Sequence, residues 1–193
     1  MAIPKECKMP DLSHEDEYPL PLIGYLIIQL LSGGDKKLSL ELGAYRRIFV
    51  RLVDHAWNEY CQAKNELIAE IKRDKSAFMM EFTNHIETCI NVVRRLFILL
   101  ERINNEESSP MIPEHLKDIL NNKTIIDIRN TIEHLDERIQ KGKIPKGRPI
   151  MLTVGPNEDS LLISKHQIRF EELAIVLERM REIALYILTV KRA

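Results

Sequence analysis

The residues of this chain with the clearest capacity for chemistry are Arg129, Asn130 and His134, which lie within one six-residue stretch, RNTIEH. An arginine can bind phosphate oxygens through its planar guanidinium fork, and an asparagine can hold the phosphate or orient an imidazole. A histidine has an ordinary pKa of about 6.5, so it can accept or donate a proton at neutral pH. Together these three side chains could bind a phosphate, orient it and move a proton.

The stretch falls within a predicted helix over residues 124–140, with Thr124 as its N-cap and Gly142 as the residue that ends it. Asn130 and His134 are four residues apart and should lie one above the other. At about 100° per residue, His134 lies roughly 140° from the centre of the apolar side, which predicts that it faces away from the core. The alternative is an ordinary solvated histidine. The apolar side is predicted to consist of Ile125, Ile128, Ile132, Leu135 and Ile139.

The same angles predict that one helix does not complete a site. Ile126 lies on the side of Asn130 and His134, which predicts that another element or a second subunit covers this face. Arg129 and His134 are spread by roughly 140°, so we expect a composite site formed by both chains of a two-fold dimer. The alternative role of Arg129 is an ion pair with Glu133 at i, i+4, a common surface arrangement.

The rest of the chain is predicted to be mostly helical scaffold. Apolar residues at helical spacing predict further helices over residues 22–32, 38–73, 76–104, 114–120 and 170–190. The second and third of these should form an antiparallel hairpin, because the predicted connection is only about two residues long. Alternating apolar residues from Ile150 to Val154, a turn at residues 156–159 and a second apolar run predict a β-hairpin at about 149–164.

The apolar stripes define the expected core. In the first long helix the stripe comprises Leu42, Tyr45, Ile48, Phe49, Leu52, Ala56, Ala63, Leu67 and Ile71. In the second it comprises Phe78, Phe82, Ile86, Cys89, Ile90, Val93, Phe97, Leu100 and Ile103. In the last helix it comprises Phe170, Leu173, Val176, Leu177, Met180, Ile183, Ala184 and Ile187. These patterns predict an all-α fold, an up-and-down helical bundle of four main helices. Residues 1–37 form an N-terminal arm with a short apolar helix, and residues 38–193 form the bundle with its small β-hairpin before the last helix.

Composition narrows the class of protein. The chain has 193 residues and a formal net charge of -1, which argues against a broadly basic nucleic-acid binder but allows a local basic patch. Its cysteines, Cys7, Cys61 and Cys89, are odd in number and far apart, so we expect reduced thiols in the cytoplasm and no metal site. The apolar run 19–31 is short for a membrane span and lacks a basic start, which favours a packed helix over a membrane anchor. A dimer contact is the less favoured alternative for this run.

A basic segment follows the motif. Residues 138–148 contain no acidic side chain, and they could steer RNA toward the motif in a salt-dependent way. A solvated basic loop is an equal alternative. The basic side chains of this segment are Arg138, Lys141, Lys143, Lys146 and Arg148. Arg51 and His55 in the first long helix are a near miss of the motif, with three intervening residues instead of four, and we interpret that pair as structural.

The motif resembles that of the HEPN superfamily. Its catalytic members carry an arginine, a polar residue directly after it, and a histidine after four to six intervening residues. Arg129, Asn130 and His134 match this order, with four residues between Arg129 and His134. The predicted helical bundle over roughly residues 38–190, with the motif on a late helix, also agrees. One toxin subgroup has a tyrosine two positions after the histidine, whereas this chain has Asp136, so tyrosine modification there is not expected.

The resemblance implies a function. Catalytic HEPN proteins are typically metal-independent endoribonucleases that act as homodimers without a cofactor. Many are toxins or antiviral defence effectors, often controlled by a nucleotidyltransferase-like antitoxin. The resemblance therefore implies cleavage of RNA phosphodiester bonds by acid–base catalysis at Arg129, Asn130 and His134. A non-catalytic HEPN-like module that binds nucleotide or a protein partner is the alternative, and a helical scaffold with a chance motif is the third possibility.

Overall fold

The computed structural model describes residues 4–13, 21–33, 38–73, 80–106, 109, 112–117, 122–143 and 146–189. This part of the chain is mostly helical, with a small antiparallel sheet before the final helix. Its helices are α1 (Leu22–Leu31), α2 (Leu40–Arg73), α3 (Met80–Asn105), α4 (Glu114–Lys117), α5 (Lys123–Glu133), α6 (Leu135–Gln140) and α7 (Phe170–Thr189). Its strands are β1 (Thr153–Val154), β2 (Ser160–Ile163) and β3 (His166–Arg169).

Helices α2, α3 and α7 form because their apolar stripes can be buried together. Every predicted stripe residue of α7 is buried, and so is every one of α3 except Phe78, which lies outside the described residues. In α2 the predicted stripe is buried or partly buried along its whole length. The three predicted stripes are therefore confirmed, and they meet in one continuous core.

Helices α2 and α3 pack antiparallel, as predicted. Glu59 of α2 contacts His85 near the start of α3, and Tyr45 near the start of α2 lies against Arg102 near the end of α3. Residues later in α2 thus contact residues earlier in α3, as expected for two antiparallel helices. The connection that was predicted to be about two residues long, and the predicted start of α3 at residue 76, lie outside the described residues.

The N-terminal segment has no helix or strand over residues 4–13, but hydrogen bonds attach it to the remainder of the chain. The Glu158 carboxylate accepts hydrogen bonds from the backbone N–H groups of Lys5 (3.0 Å) and Glu6 (3.4 Å). The Tyr60 hydroxyl donates to the Pro10 carbonyl at 3.1 Å. Met9 is buried in the same core as the long helices.

The sheet contains one more strand than the predicted hairpin. Its order is β1-β2-β3, and both pairings are antiparallel. β3 has only four residues, three of them polar, so its alternation was too short to stand out in the sequence. The first predicted strand is also shorter than expected: Ile150 is exposed, and pairing starts only at Thr153.

Candidate functional site

The motif does not lie on one continuous helix. α5 ends at Glu133, His134 adopts φ −106° and ψ 24°, and α6 begins at Leu135. Backbone hydrogen bonds still run from His134 N–H to the Asn130 carbonyl (3.2 Å) and from Arg138 N–H to the His134 carbonyl (3.1 Å). The chain is therefore kinked at His134 instead of being unwound. The prediction of a single helix over 124–140 is wrong at this residue.

The two ends of this region are closed by specific caps. At the start, the Asn122 side chain accepts a hydrogen bond from the Ile125 backbone N–H at 3.1 Å, so Asn122 is the N-cap and the prediction of Thr124 is wrong. At the end, Gly142 has φ +60°, and the N–H groups of Gly142 and Lys143 donate to carbonyls of the last turn at 3.0 and 2.9 Å. This is the αL closure that favours glycine, as predicted.

The kink changes which residues face the core. Ile125 and Ile128 of α5 are fully buried, and Ile132 packs against the core, as predicted. Ile139, however, is 50% exposed, and α6 has no buried residue. The prediction that Ile139 faces the core is wrong, because the 100° periodicity of α5 does not continue through His134.

Glu133 lies between the guanidinium of Arg129 and the imidazole of His134. The guanidinium of Arg129 binds the Glu133 carboxylate through both terminal nitrogens, Nη2 at 2.7 Å from Oε1 and Nη1 against Oε2. Nε2 of His134 lies 3.8 Å from that same Oε2. Arg129 and His134 of one chain therefore reach a single oxygen atom. The expected wide separation of the two side chains on one helix is wrong, because the long arginine side chain and the kink bring their ends together.

The remaining motif groups are exposed or partly exposed. Asn130 accepts a long hydrogen bond of 3.5 Å from Arg129 Nη1. The His134 side chain is 53% exposed, in agreement with its predicted direction away from the core. Its Nδ1 lies 3.8 Å from a carboxylate oxygen of Glu137. His134 thus has a carboxylate near each ring nitrogen.

Ile126 gives less support to a second subunit than the sequence indicated. It is partly buried and packs against the core of its own chain. We predicted that either another element of the same chain or a second subunit covers this face. At Ile126 it is the same chain that provides the cover. A dimer across the motif must therefore be argued from chemistry and not from an uncovered isoleucine.

The downstream basic residues form two groups. Lys141 binds Glu137 at 3.0 Å, and Arg138 is partly buried. Lys143, Lys146 and Arg148 are exposed. Gly142 and Gly147 both have positive φ values, and a Cβ added at either position would meet no heavy atom within 4 Å.

A second histidine lies against the motif helix and was not predicted from the sequence. His166 of β3 places Nδ1 3.8 Å from Oδ2 of Asp127, one turn before Asn130, and its side chain is 16% exposed. Burial lowers its pKa below the ordinary value, Asp127 opposes this, and the positive charges of Lys165 and Arg138 lower the pKa further. The pairing of β3 with α5 was needed to find this contact, since the two residues are far apart in sequence.

A histidine cluster also occurs at the near miss of the motif. Nε2 of His55 lies 3.2 Å from Oε1 of Glu59, and Nδ1 of His85 lies 2.8 Å from Oε2 of the same residue. One carboxylate thus joins histidines of α2 and α3, which agrees with a structural role for His55. The i, i+4 spacing of His55 and Glu59 was visible in the sequence, but His85 required the register of the hairpin.

The three cysteines are the other groups with potential for metal or redox chemistry, and burial together with all three of them raises the pKa of Tyr60. Cys7, Cys61 and Cys89 are free thiols, and burial raises the pKa of both Cys61 and Cys89. Within the described ranges, no three His, Cys, Asp or Glu side chains are grouped so that they could hold a metal ion. The helices described there are also all too short or too polar to cross a membrane.

Arg129 and Asn130 are partly buried, and His134 is exposed. Two clefts in the described part of the chain, of about 350 and 480 Å³, are lined by other residues, the first along α7 and α4 and the second beside β1. Searches against protein-family models, curated proteins and solved structures found no match to this chain. The HEPN resemblance consequently stays a prediction from the motif and the helix order.

Proposed function

We propose that this protein is a metal-independent endoribonuclease of the HEPN type, with Arg129, Asn130 and His134 as its catalytic residues. The observation that carries the proposal is the shared oxygen of Glu133, which is contacted by both Arg129 and His134. A phosphate oxygen has the same charge sign and hydrogen-bonding capacity as a carboxylate oxygen. The two side chains are thus arranged so that both could engage one anionic group of a substrate.

The proposed reaction is the transfer of the phosphoryl group to the neighbouring 2′-oxygen of the RNA. His134 as a base takes the 2′-hydroxyl proton, the O2′–P bond forms, and the P–O5′ bond breaks. An acid then donates a proton to the departing 5′-oxygen, leaving a cyclic phosphate and a 5′-hydroxyl. Arg129 balances the charge on the phosphate, and Asn130 holds the phosphate in place. Each proton transfer by a positioned side chain typically increases the rate roughly 10²–10⁴-fold.

The two proton transfers are the reason to propose a homodimer. One chain contributes one histidine to this motif, whereas the reaction needs a base and an acid at the same time. In a two-fold dimer across α5 and α6, His134 of one chain would act as the base and His134 of the other as the acid. The up-and-down arrangement of four main helices belongs to the same proposal and is supported by the antiparallel pairing of α2 and α3.

RNA is the proposed partner, and Lys143, Lys146 and Arg148 are its proposed secondary contacts. They are exposed and follow His134 by 9, 12 and 14 residues, so they could bind phosphates of the flanking strand. Lys141 and Arg138 are less available because of ion pairing and burial, respectively. A role as a cytoplasmic toxin or defence effector, with a nucleotidyltransferase-like antitoxin, is supported by the family resemblance alone.

One observation favours the non-catalytic alternative. The Arg129 guanidinium is already paired with Glu133, and Glu137 lies on the other side of His134. These carboxylates repel a phosphate. A HEPN-like module that binds a nucleotide or a protein partner without cleaving RNA is therefore the second candidate.

Cleavage of total RNA in the presence of a chelator tests the proposal. The wild type should cleave RNA, and His134→Ala and Arg129→Ala should each lose roughly 10²-fold or more of the rate. Two exposed residues of the same types, His115 and Arg51, provide matched controls, and their alanine variants should retain the rate. Intact RNA with the wild type, or equal loss in the control variants, would contradict the proposal. Nucleotide binding without cleavage would favour the second candidate.

A further inference from the structure

Helix α1 is apolar on all sides, and only one of its sides is buried. Its sequence, LIGYLIIQLL, contains no charged residue. Leu22 and Leu26 are buried in the core, whereas Leu31 is 84% exposed. A helix that is hydrophobic all round normally lies in a protein interior, so the outer side of α1 is unusual for a protein surface.

The exposed apolar residues of α1 form one face. At about 100° per residue, they cover roughly 160° of the helix surface opposite Leu22 and Leu26. This outer face consists of Ile23, Ile27, Ile28, Leu30 and Leu31, with exposed fractions of 43, 49, 54, 42 and 84%. Ile27 lies near both the middle of the helix and the middle of the face.

Polar contacts fix the orientation of α1, so the outer face is held in place. Gln29 accepts a hydrogen bond from Arg46 of α2 at 2.9 Å and donates one to the Leu188 carbonyl of α7 at 3.2 Å. The start of α1 also lies near α2, where burial raises the pKa of the Asp54 carboxyl and the backbone N–H of Ile23 opposes this effect by lowering it. A rotation that buried the outer face would break all of these contacts.

We propose that the outer face of α1 is the interface of a two-fold dimer, in which α1 packs antiparallel against α1 of a second copy of this chain. The face carries no charge that would select an acidic or a basic partner. A helix that lies on a membrane surface usually carries Lys and Arg on its polar side, and α1 has none. An uncharged apolar face is complementary to itself, and a two-fold axis joins identical faces.

The available area is sufficient for such a contact. The exposed surface of the five side chains, taken from two copies, is on the order of 1,000 Å², which is the lower limit for a specific interface. An antiparallel arrangement around Ile27 brings the middles of the two faces together and leaves the ends of the two helices on opposite sides.

This interface is distinct from the one in the proposed function. α1 packs on α2 and α7, whereas α5 packs on α3 and β3. Two chains joined through α1 do not thereby bring two motif helices together. The inference therefore stands or fails independently of RNA cleavage.

The molecular mass in solution tests the dimer. Sedimentation analysis from about 1 μM to 1 mM should show that wild type forms an assembly with twice the mass of Ile27→Glu. Ile175 of α7 provides the matched control, because it is 47% exposed against 49% for Ile27. Ile175→Glu should have the wild-type mass, and circular dichroism should show the same helix content in all three proteins.

Cross-linking tests the position of the axis. With Cys7 and Cys61 changed to serine, Ile27→Cys should form a disulfide-linked dimer on oxidation, and Ile175→Cys should not. Equal masses of wild type and Ile27→Glu at every concentration would overturn the proposal, and so would cross-linking that is equal at both positions. Binding of the monomeric wild type to neutral phosphatidylcholine vesicles would overturn it in favour of a lipid surface.

Discussion

Helix α1 and the α5–α6 segment are both short helical regions at the surface, and they meet the solvent in opposite ways. α1 has five large apolar side chains exposed on one face and no charged residue. The α5–α6 segment exposes Glu133, His134, Glu137 and Lys141, which contact one another or their neighbours. α5 also has a side-chain N-cap, whereas α1 has none.

The motif is a polar surface whose side chains contact one another, and the outer face of α1 is an apolar surface. A sequence motif alone does not reveal this difference. The polar groups of the motif already contact one another within one chain, so they need no partner to be stable in water. The outer face of α1 stays in contact with water unless something covers it. The residues with capacity for chemistry and the exposed apolar residues of α1 therefore lie on different parts of this protein, and each set can be tested without the other.

The largest effect is expected for removal of a core contact of the motif helix. Ile128 is fully buried, so Ile128→Ala should lower the free energy of unfolding by about 2–5 kcal/mol. Urea unfolding measures the change. Ile175→Ala, at an exposed isoleucine, should change the free energy by less than about 0.5 kcal/mol. A small effect of Ile128→Ala would mean that α5 is not part of the cooperative core, and the comparison with the surface helix α1 would lose its basis.

A smaller effect is expected at the carboxylate that joins the motif. Glu133→Gln removes the negative charge that competes with a phosphate for Arg129 and His134. RNA affinity should rise about two- to fivefold at low salt, as estimated for an exposed ion pair and a nearby like charge. Fluorescence anisotropy with a labelled RNA measures it. Glu182→Gln breaks a comparable helical ion pair, with Arg179, and should leave the affinity unchanged. Unchanged or weaker binding by Glu133→Gln would show that Glu133 does not occupy the phosphate position.

The smallest effect is expected in the pH dependence of stability at His166. Burial lowers the pKa of His166 in the folded chain, so as pH falls through about 6.5 the unfolded chain binds a proton that the folded chain resists. Stability should therefore decrease as pH is lowered from 7 toward the folded pKa. In His166→Asn this decrease should be smaller, as measured by urea unfolding at a series of pH values. His115→Asn, at an exposed histidine, should keep the wild-type pH dependence, and an unchanged profile in His166→Asn would contradict the prediction.

The long helices could be predicted from the sequence because their apolar stripes are strong and repeated. The stripes of α2, α3 and α7 are buried, and the helical angle of His134 correctly placed its side chain in solvent. The glycine closure at Gly142 was also visible, since glycine is the residue that adopts this conformation without strain.

The features that the sequence did not reveal depend on contacts between distant residues or on short elements. No glycine or proline marks the kink at His134, although Asp136 and Glu137 in the first turn of α6 are typical of a helix start. β3 is too short to show a clear alternation of apolar and polar residues. The contact of His166 in β3 with Asp127 could not be predicted without knowing where the sheet packs on α5. The Glu59 bridge between His55 and His85 needs the register of α2 on α3.

β3 continues into α7 without an intervening residue, since the strand ends at Arg169 and the helix begins at Phe170. The backbone N–H of Phe170 also donates to the Asp159 carbonyl at 2.9 Å, which ties the start of the helix to the sheet. One inserted residue at this junction would turn the buried side of α7 by about 100° relative to the sheet. At Gly142 and Gly147, by contrast, an added Cβ would meet no heavy atom within 4 Å. An insertion of one residue between the motif and the sheet is therefore expected to preserve function. The same insertion at residues 169–170 is expected to abolish it.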